Sequence, residues 1–309
     1  MIKFTGIVAE YNPFHNGHKH QIEYLRSLGA EMVAVAMSGN FVQRGAPAWI
    51  DKYTRTQMAL SQGADLVFEL PTVYALSSAE HFAFGGISLL NALHMDSVCF
   101  GCETPSLPLL NAAAELLQKE PDEYRQTLQG QLKAGASYPA ARETALRRSM
   151  PELPTDFLSG ANNILALEYL KALKNMHSTM TPVPIRRTDS GYHSTELSDG
   201  TFSSASAIRS SYKETKSLKD VSRALPEKVL TLLEDRSGHF GMETADFDTL
   251  LYYALRRAVR KGTLTHYGDM VEELANRIEK SLADYQNAET FILSLKRKNI
   301  TYSRICRCL

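Results

Sequence analysis

The sequence predicts an α/β protein, a Rossmann-like parallel sheet followed by a helical C-terminal part. Over the first hundred positions, apolar runs and amphipathic runs alternate about every 30 residues, which is typical of parallel strands joined by right-handed helical crossovers. Gly29 and Gly63 close two of the amphipathic runs, as glycine commonly does at helix ends. Beyond about residue 216 the strand-like runs give way to helical periodicity.

In chain order, the predicted strands of this first part are FTGIVAE, EMVAVAMSG, ADLVFELP and MDSVCFG. The helices predicted between them are HKHQIEYLRSLG, DKYTRTQMALSQG and SAEHFAFGGISLLNAL. Polar clusters follow the strands, at EYNPFHNGH, MSGNFVQRG, ELPTVY and GCET. Because parallel sheets bind ligands beyond the carboxyl ends of their strands, these clusters predict one shared site.

The remainder of the chain is predicted to be mostly helical. Helices occupy about residues 106 to 177, and TPVPIRR is a further short strand. A loop rich in Gly, Ser and Thr then leads into a helix at AIRSSYKE. We place a domain boundary near residue 216, which divides the chain into residues 1–215 and residues 216–309.

The amino-acid composition says little about which class of partner the protein binds. Lys plus Arg and Asp plus Glu each number 34, so overall charge predicts no polyanionic partner and any nucleic-acid surface has to be local. No apolar stretch approaches the roughly 20 residues that a membrane helix needs, and the N-terminus lacks signal-peptide features. We therefore predict a cytoplasmic protein with no membrane partner.

Four cysteines occur in two close pairs, Cys99 with Cys102 and Cys306 with Cys308. Such pairs can build a zinc site, but the C-x-C spacing of the second pair fits the usual ligand spacings poorly. Cys99 also ends a strand-like run. The sequence therefore favours reduced thiols that are buried or incidental, and no metal held by protein ligands.

Residues 10–20, EYNPFHNGHKH, place a cluster of histidines where a strand turns into a helix. Gly17 lets the backbone approach a bulky ligand closely. The spacing of His15 and His18 puts both rings on one side of a helix N-terminus, where free amides and the helix dipole attract anions. Two imidazoles there would hold phosphate oxygens during phosphoryl transfer. The plainer alternative is that both histidines cap the helix or lie in solvent.

HNGH resembles the HxGH phosphate-binding signature of the nucleotidylyltransferase and class I synthetase superfamily. SSASAIR resembles its second signature, S-S/T-x-x-R, through Ser203, Ser204, Ser206 and Arg209. Longer stretches are similar to one family, the bacterial tRNA(Met) cytidine acetate ligases. These stretches are GIVAEYNPFHNGHKHQ, MSGNFVQRGAPAWIDKYTRTQMAL, ADLVFELPTVYA, GANNILALEYLKAL and IRR…GYHS. The resemblance covers essentially the first 215 residues and continues more weakly to the end.

The resemblance implies an ATP-dependent ligase that acts on RNA. The family activates acetate with ATP as acetyl-adenylate and releases pyrophosphate. It then acetylates the wobble cytidine of elongator tRNA(Met) to N(4)-acetylcytidine. Residues 1–215 would be the ATP-binding catalytic domain and residues 216–309 a tRNA-binding domain. Mg²⁺ is expected with ATP, on the phosphates rather than in a protein cage.

The resemblance maps the family's ATP-contacting segment onto residues 7–20. It also selects Gly101, Asn162 and Arg187, with Asn163 and Arg186 as alternatives in register. The full set of ATP-binding residues predicted in this way is Ile7, Glu10, Tyr11, Asn12, Pro13, Phe14, His15, Asn16, Gly17, His18, His20, Gly101, Asn162, Arg187, Ser203, Ser204, Ser206 and Arg209.

His15, His18 and Arg209 form the predicted catalytic set. Adenylation of a carboxylate needs alignment and charge neutralisation rather than an enzyme nucleophile. For the ATP-binding residues outside this catalytic set, purely structural roles stay open as alternatives. Gly101 is also typical of a strand-ending turn, Asn162 of a helix N-cap, and Arg187 of a solvated charge after a strand.

Ser38, Asn40, Gln43 and Arg44 follow the second strand and are candidates for an acetate or cytidine pocket. Beyond them, Asp51 is a suitable first-turn anion for the next helix. Lys52 and Arg55 in that helix would approach phosphate or RNA, or else face solvent. Glu69, at the end of the third strand, would orient a Lys or His or cap a turn.

Two basic clusters in the last hundred residues are candidate RNA contacts, because Lys and Arg bind phosphates and Tyr302 could stack on a base. Each cluster is also typical of a solvated helix face. Their members are Arg256, Arg257, Arg260 and Lys261 in the first cluster, and Lys296, Arg297, Lys298, Arg304 and Arg307 in the second. Family members are expected to continue past residue 309, so a chain ending there would bind ATP yet acetylate tRNA poorly.

Two other functions stay open at this point. A small-molecule adenylyltransferase of coenzyme biosynthesis would share both signatures, but the helical C-terminal part with its basic clusters argues against such a compact enzyme. A non-catalytic RNA-binding protein on a nucleotide-binding fold is the second alternative. The intact histidine and Ser-Arg motifs argue against a loss of chemistry.

Overall fold

The computed structural model describes residues 2–155, 157–187, 202–236, 238–297 and 300–309. The strands are β1 Phe4–Ala9, β2 Met32–Ser38, β3 Phe41–Val42, β4 Ala46–Pro47, β5 Leu66–Leu70, β6 Ser97–Cys102 and β7 Thr181–Arg186. The first eight helices are α1 Asn16–Ser27, α2 Lys52–Ser61, α3 Thr72–Ala75, α4 Ala79–Ala92, α5 Leu107–Lys119, α6 Asp122–Lys133, α7 Tyr138–Ser149 and α8 Ala161–Asn175. The others are α9 Ala205–Thr215, α10 Leu218–Val221, α11 Glu227–Glu234, α12 Asp248–Lys261, α13 Glu272–Ser281, α14 Ala288–Leu295 and α15 Tyr302–Cys308.

Five strands form one parallel sheet in the order β5-β2-β1-β6-β7. Ile7 on the central strand β1 lies opposite Val35 on one side and Cys99 on the other. The chain moves outward from β1 through β2 to β5 and then crosses to β6 and β7, so the winding direction reverses between β1 and β6. Ligands of such sheets bind at this reversal, beyond the carboxyl ends of the strands. The predicted fold class is confirmed.

Helices cover both faces of the sheet. Ile7 and Val35 face the side covered by α1, α2, α9, α10 and α11, whereas Ala34 and Val98 face the side covered by α4, α5 and α8. Helix α4 lies close to β1, because a Cβ added to Gly6 would come within 2.6 Å of the side chain of Leu90. The alternation of strand and helix predicted from the sequence is therefore correct for all four early strands.

The C-terminal helices divide between two cores. Val221 and Leu233, from α10 and α11, are buried in the same core as the sheet. A separate core begins with α12 and contains Leu255, Ile278 and Ile305. After residue 216 the described residues contain helices and no strand, as predicted. The change from one core to the other falls between α11 and α12, and the domain boundary near residue 216 stays a prediction.

The sequence did not predict the hairpin segment (residues 40–49), in which β3 and β4 pair antiparallel. Its turn residue Gly45 has φ +80°, and a Cβ there would lie 2.5 Å from the backbone nitrogen of Arg307. The turn therefore rests directly on α15. On the same segment, the ring of Phe41 lies 5.9 Å from that of Phe247, just before α12. The hairpin segment thus joins the sheet to the C-terminal helices.

No helix within the described ranges is long and apolar enough to cross a membrane. Among the same residues, no three His, Cys, Asp or Glu side chains come together as a metal-binding group. The four cysteines are free thiols: Cys99 and Cys102 are buried in β6, and in α15 Cys308 is buried whereas Cys306 is partly exposed.

Candidate active site

A cleft of about 920 Å³ opens at the carboxyl ends of β1, β6 and β7. Its inner part is lined by the first residues of α1, α8 and α9. The hairpin segment forms one wall, and the starts of α12, α14 and α15 close the outer end. The cleft therefore lies at the reversal between β1 and β6, where the polar clusters of the sequence predicted a site.

His15 and His18 stack in this cleft with their ring centroids 3.6 Å apart. Nδ1 of His15 accepts a hydrogen bond from the Gly17 N–H at 3.1 Å, and Nδ1 of His18 accepts from the His15 N–H at 3.2 Å. Together they form a capping box at the start of α1. Because each Nδ1 is an acceptor, the hydrogen of each neutral ring lies on Nε2. The two roles that the sequence left as alternatives, capping and ligand binding, are therefore compatible.

The ring of His18 lies against two aromatic rings. Its centroid lies 4.7 Å from that of Tyr11 and 5.4 Å from that of Phe14. Burial lowers the pKa of His18 well below its usual value of 6.5, and the neighbouring His15 and Arg187 lower it further. His18 is therefore neutral near pH 7. A neutral imidazole with its hydrogen on Nε2 donates one hydrogen bond to an anion without first taking up a proton.

Helix α9 begins beside α1. The Ser204 hydroxyl oxygen accepts from the Ala207 N–H at 3.1 Å and caps the helix. One turn later, Arg209 donates to the carbonyl oxygen of Asn12 at 2.5 Å, which joins α9 to the loop before α1. Neither α1 nor α9 has an acidic residue in its first turn. The positive ends of both helix dipoles are therefore uncompensated, and the inner cleft attracts anions although the chain has no net charge.

Gly101, Asn162 and Arg187 meet on the β6–β7 side of the cleft. A Cβ on Gly101 would lie 3.0 Å from Cγ of Arg187, so the absence of a side chain at Gly101 makes room for that arginine. The Arg187 guanidinium donates to Oδ1 of Asn162 at 3.0 Å, and the amide of Asn162 donates to Glu103 at 2.7 Å. This chain of hydrogen bonds orients the guanidinium at the cleft wall.

The neighbouring Asn163 has a different role. Its Oδ1 accepts from the N–H groups of Glu103 and Thr104, each at 3.1 Å, and its Nδ2 donates to the carbonyl of Phe157 at 3.0 Å. Asn163 therefore ties α8 to the loop after β6. Asn162 lines the cleft, whereas the register alternative Asn163 does not.

The family model for the HIGH nucleotidyl transferases matches residues 2–309. The tRNA(Met) cytidine acetate ligase of Clostridium kluyveri is 42% identical over 318 residues, which cover 100% of this chain and 78% of that protein. The enzyme of the same name from Thermoanaerobacter sp. is also 42% identical and covers 97% of this chain and 75% of its own length.

The chain belongs to the tRNA(Met) cytidine acetate ligase family.

Solved structures agree with this membership of the family. Thermotoga maritima TmcAL in its apo form is 34% identical, with a TM-score of 0.88 over 99% of this chain and 74% of that one. The same protein bound with alpha-thio ATP is 33% identical, with a TM-score of 0.85 over 99% and 73% of the two chains. The fold around the cleft is therefore that of a family member solved with an ATP analogue.

Most of the residues that the family resemblance selects do line the cleft. They come from five separate stretches of the chain, which the fold brings to one place. Those lining it are Glu10, Tyr11, Asn12, His15, Gly17, His18, His20, Gly101, Asn162, Arg187, Ser204, Ser206 and Arg209, together with Gln43 and Arg44 of the predicted acyl or cytidine pocket. Arg186 lines it as well.

Other predicted residues lie outside the cleft lining. Ile7 and Phe14 are buried in the core below it, and Asn16 turns away to donate to the carbonyl of Arg223 at 2.8 Å. Ser38 is fully buried at the end of β2. The remaining ones outside the lining are Pro13, Asn40 and Ser203, and the GYHS motif lies outside the described residues.

The position of Arg55 differs from the prediction that it approaches phosphate or RNA or faces solvent. It faces neither solvent nor phosphate, because it is fully buried below the hairpin segment. Its guanidinium donates to the carbonyls of Ile50 at 2.9 Å, Glu10 at 2.6 Å and Ser38 at 3.0 Å, and also to that of Gly39. Burial lowers its pKa to about 10, so the guanidinium is charged at neutral pH. Arg55 therefore ties together the chain segments that leave β1 and β2.

Most of the outer wall of the cleft was not predicted, apart from Gln43, Arg44 and Tyr302. The hairpin segment is held to the inner site by a hydrogen bond from the Gln43 N–H to Glu10 at 2.8 Å and from the Trp49 N–H to Asn12 at 2.7 Å. C-terminal residues that line the outer end are Met242, Glu243, Thr244, Ala245, Asp248, Asn287, Glu289 and Tyr302. They follow no recognisable motif, because only tertiary packing brings them to the site.

The two basic clusters differ in their surroundings. Arg256, Arg257, Arg260 and Lys261 are exposed on α12, and within the described part of the chain they have no ion-pair partner. Arg297 instead donates to the carbonyls of Ser294 and Lys296 at 3.3 and 2.7 Å. Lys298 lies outside the described residues.

Proposed function

We propose that this chain is an ATP-dependent tRNA(Met) cytidine acetate ligase, and that ATP binds with its phosphates between the N-termini of α1 and α9. One observation carries the placement of the phosphates. Two helix N-termini without acidic residues meet in one cleft, together with the stacked His15 and His18 and with Arg209. Such a group of donors matches the charge of a triphosphate.

In the first step of the proposed reaction, a carboxylate oxygen of acetate attacks the α-phosphorus of ATP. The bond from that phosphorus to the bridging oxygen breaks, and pyrophosphate leaves with the electron pair. Negative charge accumulates on the phosphate oxygens during this step. The Nε2–H groups of His15 and His18, the backbone N–H groups of α1 and Arg209 stabilise it from fixed positions, which needs no reorganisation.

In the second step, the exocyclic amine of the wobble cytidine attacks the carbonyl carbon of acetyl-adenylate. The new C–N bond forms as AMP leaves, and the amine loses a proton. Gly101, Asn162 and Arg187 are proposed to bind the nucleoside part of ATP, so the cytidine would enter from the outer end of the cleft. Alternative functions as a coenzyme-type adenylyltransferase or a non-catalytic RNA-binding protein are not favoured by the comparisons.

Mg²⁺ is proposed to accompany ATP as a ligand of the phosphates. Mg²⁺ keeps several of its waters and is usually bound through one or two carboxylates and the phosphates of the substrate rather than by a protein cage. Acetate as the acyl donor, tRNA(Met) as the acceptor and a cytoplasmic location also belong to this proposal.

The exposed face of α12 is proposed as an RNA contact. Arg256, Arg257 and Arg260 lie on it at helical spacing together with Tyr253, which is 65% exposed. Cations without an ion-pair partner gain the most from phosphates, and an exposed tyrosine ring can stack on a base. The cluster at residues 296–298 is a weaker candidate, because Arg297 is bound to backbone carbonyls.

The first test is acetate-dependent exchange of labelled pyrophosphate into ATP, measured with and without tRNA(Met). The variant His18→Asn keeps an acceptor for the His15 N–H, because its amide oxygen replaces Nδ1, but it removes the Nε2–H. We expect exchange to fall by about 10²- to 10³-fold. His94→Asn is the matched control, since His94 lies at the amino-terminal edge of the sheet and does not line the cleft. Equal loss in both variants would refute the phosphate placement.

The second test concerns RNA. Replacing Arg256, Arg257 and Arg260 together by Gln is expected to weaken tRNA binding and to lower the slope of log K against log salt by about 0.9 for each lost contact. Lys280→Gln, an exposed cation on α13, is the control. An unchanged slope in the triple variant would exclude α12 from the RNA interface.

A further inference from the structure

One part of the cleft has no assigned ligand. It is an apolar recess on the α4–α8 side of the sheet, between the carboxyl ends of β1 and β6. Its walls are Val8, Phe82, Phe100, Leu165 and Tyr169, all of which line the cleft. The phosphate-binding groups lie on the other side, where α1 and α9 cover the sheet. The recess is thus adjacent to the proposed reaction centre but separate from the charged helix N-termini.

The walls of the recess are held firmly. Val8 packs against α4 so closely that a Cβ added to Gly86 would lie 2.6 Å from Cγ2 of Val8. The rings of Phe100 and Tyr169 are 5.6 Å apart, and both residues are at most 5% exposed. Leu165 and Val8 are partly buried and pack against this core. Such walls cannot retract to admit a larger group without loss of packing.

The mouth of the recess carries a carboxylate. Glu10 accepts from the Gln43 N–H at 2.8 Å, and it lies near enough to Tyr169 to add to the effect of burial, which raises the pKa of that hydroxyl. A second carboxylate would be repelled from this position. A small carboxylic acid would therefore turn its charged end towards the phosphate-binding groups and its alkyl end into the recess.

We infer that the apolar recess binds the methyl group of the acyl substrate and limits the chain length of the carboxylic acid that the protein activates. This inference rests on the proposed function. The methyl group of acetate and the faces of the bases are the apolar parts of the proposed substrates, and Gly101, Asn162 and Arg187 offer the nucleoside a site towards β7. Leu165 and Val8 are then specificity-determining residues.

The test compares acetate, propionate and butyrate in acid-dependent pyrophosphate exchange, with tRNA(Met) present. Leu165→Ala enlarges the recess and is expected to raise the propionate-to-acetate ratio of kcat/KM by about tenfold, the scale of one methylene group in an apolar pocket. The KM for ATP is expected to stay unchanged. Leu170→Ala, on the same helix but buried away from the cleft, controls for general damage to the core.

The possible results separate the hypotheses. An unchanged propionate-to-acetate ratio in both Leu165→Ala and a second variant, Val8→Ala, would overturn the inference. A raised KM for ATP with an unchanged acid preference would assign the recess to the nucleotide instead. If the unmutated protein showed no acetate-dependent exchange at all, the proposed function itself would fail, and the assignment of the recess would fail with it.

Discussion

Replacing Arg55 by Met should destabilise the fold strongly, although Arg55 contacts no proposed ligand. The arginine donates hydrogen bonds to four backbone carbonyls in a site that excludes water. Methionine fills a similar volume but has no donor, so these carbonyl oxygens would stay buried without partners. An unsatisfied buried polar group costs about 1–3 kcal/mol.

The net effect is smaller than the sum over four carbonyls, because burying the guanidinium charge is itself unfavourable. We therefore expect the free energy of unfolding to fall by about 3–5 kcal/mol, near the lower end of the roughly 4–12 kcal/mol that four unsatisfied carbonyls would cost. The measurement is urea denaturation followed by circular dichroism. Lys52→Met is the matched control on the same helix, since Lys52 makes a partly exposed ion pair with Glu69 at 2.6 Å.

The control should change stability by at most about 1 kcal/mol, as surface ion pairs do. A loss below about 1 kcal/mol in Arg55→Met would refute the reasoning, because it would mean that water reaches these carbonyls. Equal losses in the two variants would refute it as well.

Three further outcomes are expected. The lowered pKa of His18 means that the unfolded chain takes up a proton as the pH falls through about 6.5 while the folded chain does not, so stability should fall on acidification below about pH 6.5. The urea midpoint of His18→Asn should depend on pH much less than the midpoint of the unmutated protein. Parallel plots of midpoint against pH for the two proteins would contradict the low pKa of His18. Gly45→Ala should destabilise more than Gly29→Ala in thermal unfolding, because both have positive φ but only the Cβ at Gly45 would overlap neighbouring backbone; a left-handed alanine alone costs about 1–2 kcal/mol. Asn163→Ala should lower the melting temperature with little specific effect on ATP affinity, whereas Asn162→Ala should weaken ATP binding in calorimetric titration, and the reverse pattern would exchange their roles.

The order of elements and the position of the cleft could be predicted from the sequence, for a physical reason. Strands and helices carry their own hydrophobic periods, and a parallel sheet collects the ends of its strands at one edge. His15 and His18 could be predicted to lie at this edge because a helix start has a local signature, and Ser204 was selected by its resemblance to a short family motif. In each case the information lies within a few neighbouring residues.

Features that depend on distant contacts could not be predicted. Arg55 lies in a helix whose polar residues suggested solvent, and only the folded chain surrounds it with carbonyl oxygens from three other segments. Asn16 sits within the signature motif, yet Arg223 draws its side chain away from the cleft. The strands β3 and β4 have two residues each, too few to show a period of two.

The hairpin segment makes the two parts of the chain inseparable in practice. A fragment that ended after α11 would keep His15, His18 and Arg209, and its sheet core would be complete. It would nevertheless lose α15, on which Gly45 rests, and the ring that packs against Phe41. The wall that carries Gln43 and Arg44 would then be anchored at one end only. Activity measured on the nucleotide-binding part alone would therefore come from a protein whose hairpin segment is not supported by α15, whatever its affinity for ATP.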